Sequence, residues 1–142
     1  MRQRGQMMPS GRRLRRRFWL AAFLLPLAAH AAPVQAAKSE CRTDRFTFSA
    51  VNGDKVTANS VSTGGASCSY KFAPVHPDVV QFTSGSITKQ PSGGTLTQVS
   101  EFTFSYQPRA GFKGSDHVAI KVCGHNSKRA GCATITYNIS VE

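Results

Sequence analysis

From Arg45 to the C-terminus, apolar side chains recur at every second position, with β-branched and aromatic residues prominent among them. That period puts one set of side chains on one face of an extended chain, so this stretch folds into sheets rather than helices. Phe46 and Phe48 alternate with Thr47 and Ser49, and Asn52-Gly53-Asp54 then predicts a tight hairpin turn, because Asn and Gly tolerate positive φ. Lys55 to Val61 returns as the partner strand, and Ser62 to Ser67 reads as a Gly/Ser/Thr loop. Cys68, Tyr70 and Phe72 share a face of the next strand, which stops at Pro74 and Pro77. Val79 to Phe82 and Ser86 to Lys89 read as one bent strand or two short ones, and Pro91 to Gly94 as a turn. Phe102, Phe104 and Tyr106 form the clearest strand. Val118, Ile120 and Val122 alternate after a turn-rich stretch, and Ala133, Ile135, Tyr137, Ile139 and Val141 close the chain. About seven antiparallel strands with no helical period predict an all-β fold, a β-sandwich.

The alternation begins well inside the chain. Residues 1–17 are polar and basic, Phe18 to Ala29 form an apolar run of twelve, and small residues follow, with Val34-Gln35-Ala36 matching the preference of signal peptidase. This order predicts a secretory signal over residues 1–36, cleaved after Ala36 or, as second choice, after Ala31. A spanning helix needs about 20 apolar residues, and Pro26 interrupts this run. The membrane is therefore expected to meet the chain only through its cleaved leader. Arg15-Arg16-Arg17-Phe18 partly matches a twin-arginine export signal, and the Ala-rich leader fits a bacterium. Residues 37–142 make a single domain, periplasmic or secreted and expected as a monomer. A domain of that size buries roughly two thirds of its unfolded surface, so covalent bracing would help a thin core.

The formal net charge of +11 changes meaning once the leader is set aside. Seven of eighteen basic residues precede residue 37, and all seven acids follow it. The exported part carries eleven bases against seven acids, scattered apart from Lys128-Arg129. This is no basic stripe for a nucleic-acid backbone, and nucleic acid is excluded as a partner. A mild positive charge favours loose contact with anionic polysaccharide or lipid.

All four cysteines, Cys41, Cys68, Cys123 and Cys132, lie beyond the leader, and an even count in an oxidising compartment predicts two disulfides. Three pairings are possible. If Val118, Ile120 and Val122 face the core, parity turns Cys123 outward; if Ala133, Ile135 and Tyr137 face it, Cys132 also turns outward. A Cys123–Cys132 bridge would staple the last hairpin, leaving Cys41 to pair with Cys68.

The segment from Phe104 to Val122 contains Tyr106-Gln-Pro108, a short gap, Gly111-Phe112-Lys-Gly114-Ser-Asp116, and then an alternating strand. It resembles a motif of bacterial Ig-like domains, the cadherin-like and related repeats. Pro108 and Gly111 would turn the chain, and Phe112 would cover the edge of the core. Gly114 would permit a close approach, and Asp116 would cap backbone N–H groups at the start of the next strand. The resemblance implies a module used for adhesion, spacing or surface recognition, not a chemistry. Relatives that bind calcium between repeats carry an acidic residue after the alternating strand. Here Cys123-Gly124 stands there, and the motif occurs once.

Nothing in the sequence assembles catalysis. No serine sits in a Gly-x-Ser-x-Gly elbow, and Asp116 and His117 diverge to opposite faces of one strand. His125 with Cys123 and Cys132 would make the one conceivable metal set, but the spacing fits no zinc pattern and exported thiols oxidise. His76 and His117 read as solvated side chains. No catalytic residue, metal or cofactor is therefore expected, and a small metal-binding protein or hydrolase is the rival reading. The loop from His125 to Gly131 is polar, basic and stapled at its base, with His125, Asn126, Lys128 and Arg129 as candidate binding residues. It is either a recognition loop or a solvated hairpin tip. The expected partner is an envelope protein or a polysaccharide.

Overall fold

A computed structural model describes residues 38–142 of the chain. The leader, its apolar run and both cleavage sites lie outside the described residues. Eight strands form two sheets: β1 (Glu40–Thr43), β2 (Lys55–Thr63), β3 (Cys68–Lys71), β4 (Gln81–Lys89), β5 (Gly94–Ser100), β6 (Thr103–Pro108), β7 (Gly114–His125) and β8 (Ala130–Val141). The larger sheet has the order β1-β2-β8-β7-β4 and the smaller β3-β6-β5. All pairings are antiparallel except β2 with β8, which run parallel. No helix among the described residues is long and apolar enough to cross a membrane.

The core lies where the two inner faces meet. Val118, Ile120, Val122, Ile135, Tyr137 and Ile139 come from the larger sheet, and Tyr70, Phe72, Leu96, Phe104 and Tyr106 from the smaller. The alternation read from the sequence is the cause, since every one of these residues sits at an inward parity position. Tyr70 and Tyr137 stack across the sheets with ring centroids 3.8 Å apart. The Tyr70 hydroxyl reaches Ser60 Oγ at 3.3 Å, so its polar end is paired inside the core.

Both disulfides have the expected pairing. Cys123 and Cys132 are directly opposed residues of β7 and β8, on the outer face of the larger sheet. Cys41 and Cys68 join β1 to β3, the edge strands of the two sheets. Two such bridges belong to an oxidising, non-cytoplasmic environment.

The N-terminal hairpin differs from expectation. Phe46 to Ser49 is not a strand, and β2 pairs instead with the earlier segment Glu40–Thr43. The intervening chain swings under one end of the sandwich, where Phe46 packs edge-on against Tyr137 and Phe48 stacks on Phe82. Asn52 and Gly53 do not make a two-residue hairpin turn. They end a 3-10 turn over Ala50–Asn52, with Gly53 left-handed at φ 72°. Gln81–Phe82 and Ser86–Lys89 belong to one strand, β4, irregular after Phe82 and after Ile87, whereas Val79 and Val80 lie in the turn that precedes it. The expected loop from Ser62 shortens because β2 continues to Thr63. β5 is an eighth strand with no counterpart in the sequence reading.

Candidate functional site

The two ends of the sandwich are built differently, and the expected site residues divide between them. At one end, Tyr106, Pro108, Gly111, Phe112, Gly114 and Asp116 carry the chain from β6 to β7. Asp116 is 1% exposed, and its carboxylate accepts hydrogen bonds from the Ser92 and Gly93 N–H groups at 2.8 Å each. It also accepts from its neighbour His117 N–H at 2.9 Å and from the Tyr106 hydroxyl at 3.0 Å. The capping role expected of Asp116 is present, but most of its donors belong to the β4–β5 turn rather than to its own strand. Burial alone would raise the Asp116 pKa. The donated hydrogen bonds outweigh burial and hold the carboxyl below its ordinary value.

Phe112 folds back as expected, its ring lying so close over Gly93 that a Cβ there would overlap it. Gly111 makes its turn with φ 74°. Gly114 is a correction. Nothing lies within 4 Å of a Cβ built there, so it serves its positive φ of 117° and not a close approach. Tyr106 has its pKa raised by burial and then by the bond to Asp116. The Asp116 carboxylate is thus committed to structure, while a shallow cleft of about 410 Å³ lies beside it, lined by Arg109, Lys113 and Glu142 among others.

The opposite end holds the hairpin tip. β7 continues to His125 and β8 begins at Ala130, so the loop is shorter than the expected span from His125 to Gly131. Asn126 Oδ1 accepts from the Lys128 and Arg129 N–H groups at 2.9 Å each, and the Asn126 N–H donates to the Arg129 carbonyl at 2.9 Å. The Arg129 guanidinium reaches the Asn52 side chain on the 3-10 turn. His125 and Lys128 are exposed. The four candidate loop residues thus come together on one tip, rigid at its root through Cys123–Cys132.

Beside that tip is a cavity that the sequence reading missed. It measures about 230 Å³ and is lined by Phe46, Phe48, Pro74, Val75, Val79 and Phe82 among others. Val75 is 77% and Val79 62% exposed, so the rim is apolar and open to water. A second groove of about 490 Å³ runs between residues 43–48 and β3, and Phe46, Thr47, Phe48 and Ala73 line both. The alternating phenylalanines of the N-terminal segment were a signal for it, once read as a lid over an open end instead of a strand.

His76 and His117 share no site. His76 lies in the β3–β4 loop, where its carbonyl accepts from Val79 and Val80. His117 Nδ1 is 2.9 Å from Asn138 Oδ1 on the outer face of the larger sheet. Asn138 in turn reaches Asn59, whose amide donates to Asp44 at 2.9 Å. Both sulfurs near His125 are committed to the disulfide. Among the described residues, no group of three or more His, Cys, Asp or Glu side chains is arranged to hold a metal ion. The chain matches no family model and no curated protein.

Proposed function

We propose that this chain is the precursor of an exported, non-enzymatic Ig-like module, periplasmic or secreted, that recognises or supports another component of the cell envelope or its surroundings. The basic, apolar, small-residue order of residues 1–36 and the two disulfides support export. Two facing sheets, with the Tyr106–Asp116 motif turning the chain from one to the other, support the Ig-like reading.

One observation carries the recognition role. Val75 and Val79 stand in water at the mouth of an apolar cavity, beside a stapled basic hairpin tip. A domain with so little surface has reason to cover such residues, and a rigid loop beside an apolar hollow is a common recognition geometry.

Photo-crosslinking in the producing cell tests the reading, with the probe placed at Ser127 on the tip or at Thr47 beside the cavity. The expected result is one dominant adduct from these positions and none from a probe on the outer face of β6. Absence of any adduct from either position overturns the recognition role. N-terminal sequencing of the recovered protein is expected to begin at Ala37, and an intact leader on the exported protein overturns the processing scheme.

A further inference from the structure

We propose that the free edge of β3 is a docking site for an extended polypeptide segment that carries a bulky apolar residue and acidic flanks. This rests on the recognition reading above and names its partner class.

The backbone geometry sets the site. Phe72 donates its N–H to the Phe102 carbonyl, and β3 pairs antiparallel with β6 in the register Tyr70 opposite Phe104. Hydrogen-bonding direction alternates along an antiparallel strand, so Cys68, Tyr70 and Phe72 bond toward β6. Ser69 and Lys71 therefore direct their N–H and C=O groups to the other side, where no strand pairs with β3. Across the groove from them, the backbone of Arg45, Phe46, Thr47 and Phe48 makes no hydrogen bond to another backbone group among the described residues. The groove thus has unpaired backbone on both walls. Its floor is aromatic, formed by Tyr70, Tyr137 and Phe46.

An incoming strand of about four residues would run the length of β3 at roughly 3.3 Å per residue. Its inward side chains would meet those rings, because a strand added to a sheet edge continues the pleat of its neighbour. The groove joins the apolar cavity through Phe46, Thr47, Phe48 and Ala73. A side chain at the end of the added strand therefore enters the space bounded by Val75, Val79 and Phe82. That cavity is smaller than the roughly 300–1,000 Å³ of small-molecule sites, which matches a single side chain better than a free ligand. A glycan lacks the alternating row of N–H and C=O groups that completes a strand edge.

The charge follows from the rim. Arg45 and Lys71 line the groove and are exposed. Asp44, its single acid, is already bonded to the Asn59 side chain at 2.9 Å. Two bases against one acid leave the rim net positive, so the segment is acidic at its flanks.

The test is an NMR titration of the oxidised protein as recovered from the producing cell. The probe is a synthetic peptide with alternating Val and Thr around a central Phe and Glu at both ends. The expected result is saturable shifts at Ser69, Lys71 and Phe46 to Phe48, with hydrogen exchange of the Ser69 and Lys71 amides slowed on binding. Ser69→Pro removes only an outward N–H from an edge strand, so it is expected to keep the melting temperature and lose the peptide. Lys71→Glu is expected to weaken binding by about fivefold. Failure of the peptide to shift these amides overturns the proposal, as does equal binding of a Lys-ended counterpart. Concentration-dependent shifts at the same amides without peptide also overturn it, in favour of a second copy of the chain. If the peptide fails while the in-cell probe at Ser127 still captures a partner, the docking site falls and the recognition reading stands.

Discussion

The two ends of this sandwich solve the same physical problem in opposite ways. Each must finish a stack of strands whose last inward side chains would otherwise meet water. At the Asp116 end, one buried carboxylate gathers three backbone N–H groups and a tyrosine hydroxyl, and the Cys41–Cys68 bridge ties the two sheets together nearby. At the cavity end, closure is by aromatic side chains: Phe48 stacks on Phe82 and packs edge-on against Phe72. Directional bonds hold an end tightly because each donor has one acceptor and a fixed position. Aromatic packing closes it loosely and leaves Val75 and Val79 at the rim. The first end holds the fold, and the second leaves apolar side chains in water.

The largest expected effect breaks the first end. Asp116→Ala leaves the buried Tyr106 hydroxyl and the Ser92 and Gly93 N–H groups without their acceptor, at a cost of about 4 kcal/mol in denaturant unfolding. Asp116→Asn fills the same space but turns an NH₂ toward donors, so it rescues little. Replacing a disulfide by two serines comes next, and the bridges should rank by the loop they close. With sequence separations of 27 and 9, loop-closure entropy gives about 3.6 kcal/mol for Cys41–Cys68 and about 2.7 kcal/mol for Cys123–Cys132. Equal losses, or the reverse order, would show that the hairpin tip rather than the sheet-to-sheet tie limits stability.

The same contrast predicts a pH profile. Asp116 has a lowered pKa in the folded chain, so its stabilisation is complete above the unfolded value near 3.8 and is lost as pH falls through the folded value. Melting temperature should therefore drop once pH goes below about 4, and the Asp116→Asn variant should lose that part of the dependence. On the alkaline side, burial pushes the Tyr70 hydroxyl up to about 12 from an ordinary 10. The folded chain then binds a proton that the unfolded chain releases, and stability declines as pH rises from about 10 towards 12.

What the sequence revealed follows the same division. In β7 and β8, alternation, pairing and burial all coincide, so parity alone located the core residues and both outward sulfurs. The Tyr106–Asp116 motif likewise announced a cap. Its partners could not be read, since Ser92 and Gly93 lie more than twenty residues away and contribute chiefly backbone N–H groups, with the Ser92 hydroxyl at 3.2 Å. β5 escaped because Leu96 is its single buried side chain and Val99 faces water at 64% exposure, which leaves no period to detect. Phe46 and Phe48 misled for a different reason. Alternation reports an extended chain, and pairing depends on whether a neighbour is there to bond. Here none is, and both rings turn onto the end of the core. The cavity was invisible because its walls come from three separate segments, brought together only by the fold.

The smallest expected change in stability is the one that most sharpens the contrast between the ends. Val75→Ser and Val79→Ser act on side chains that are already mostly in water, so each should shift unfolding by no more than about 0.5 kcal/mol. The same substitutions remove apolar surface from the mouth of the cavity and should therefore reduce crosslinking of a partner through Thr47. A loss of stability comparable to that of Asp116→Ala would mean that the valines belong to the core and that this end is as closed as the other. Unchanged stability with diminished capture would separate the two roles within a single chain: a carboxylate that holds the sandwich shut at one end, and a row of exposed valines that waits for cover at the other.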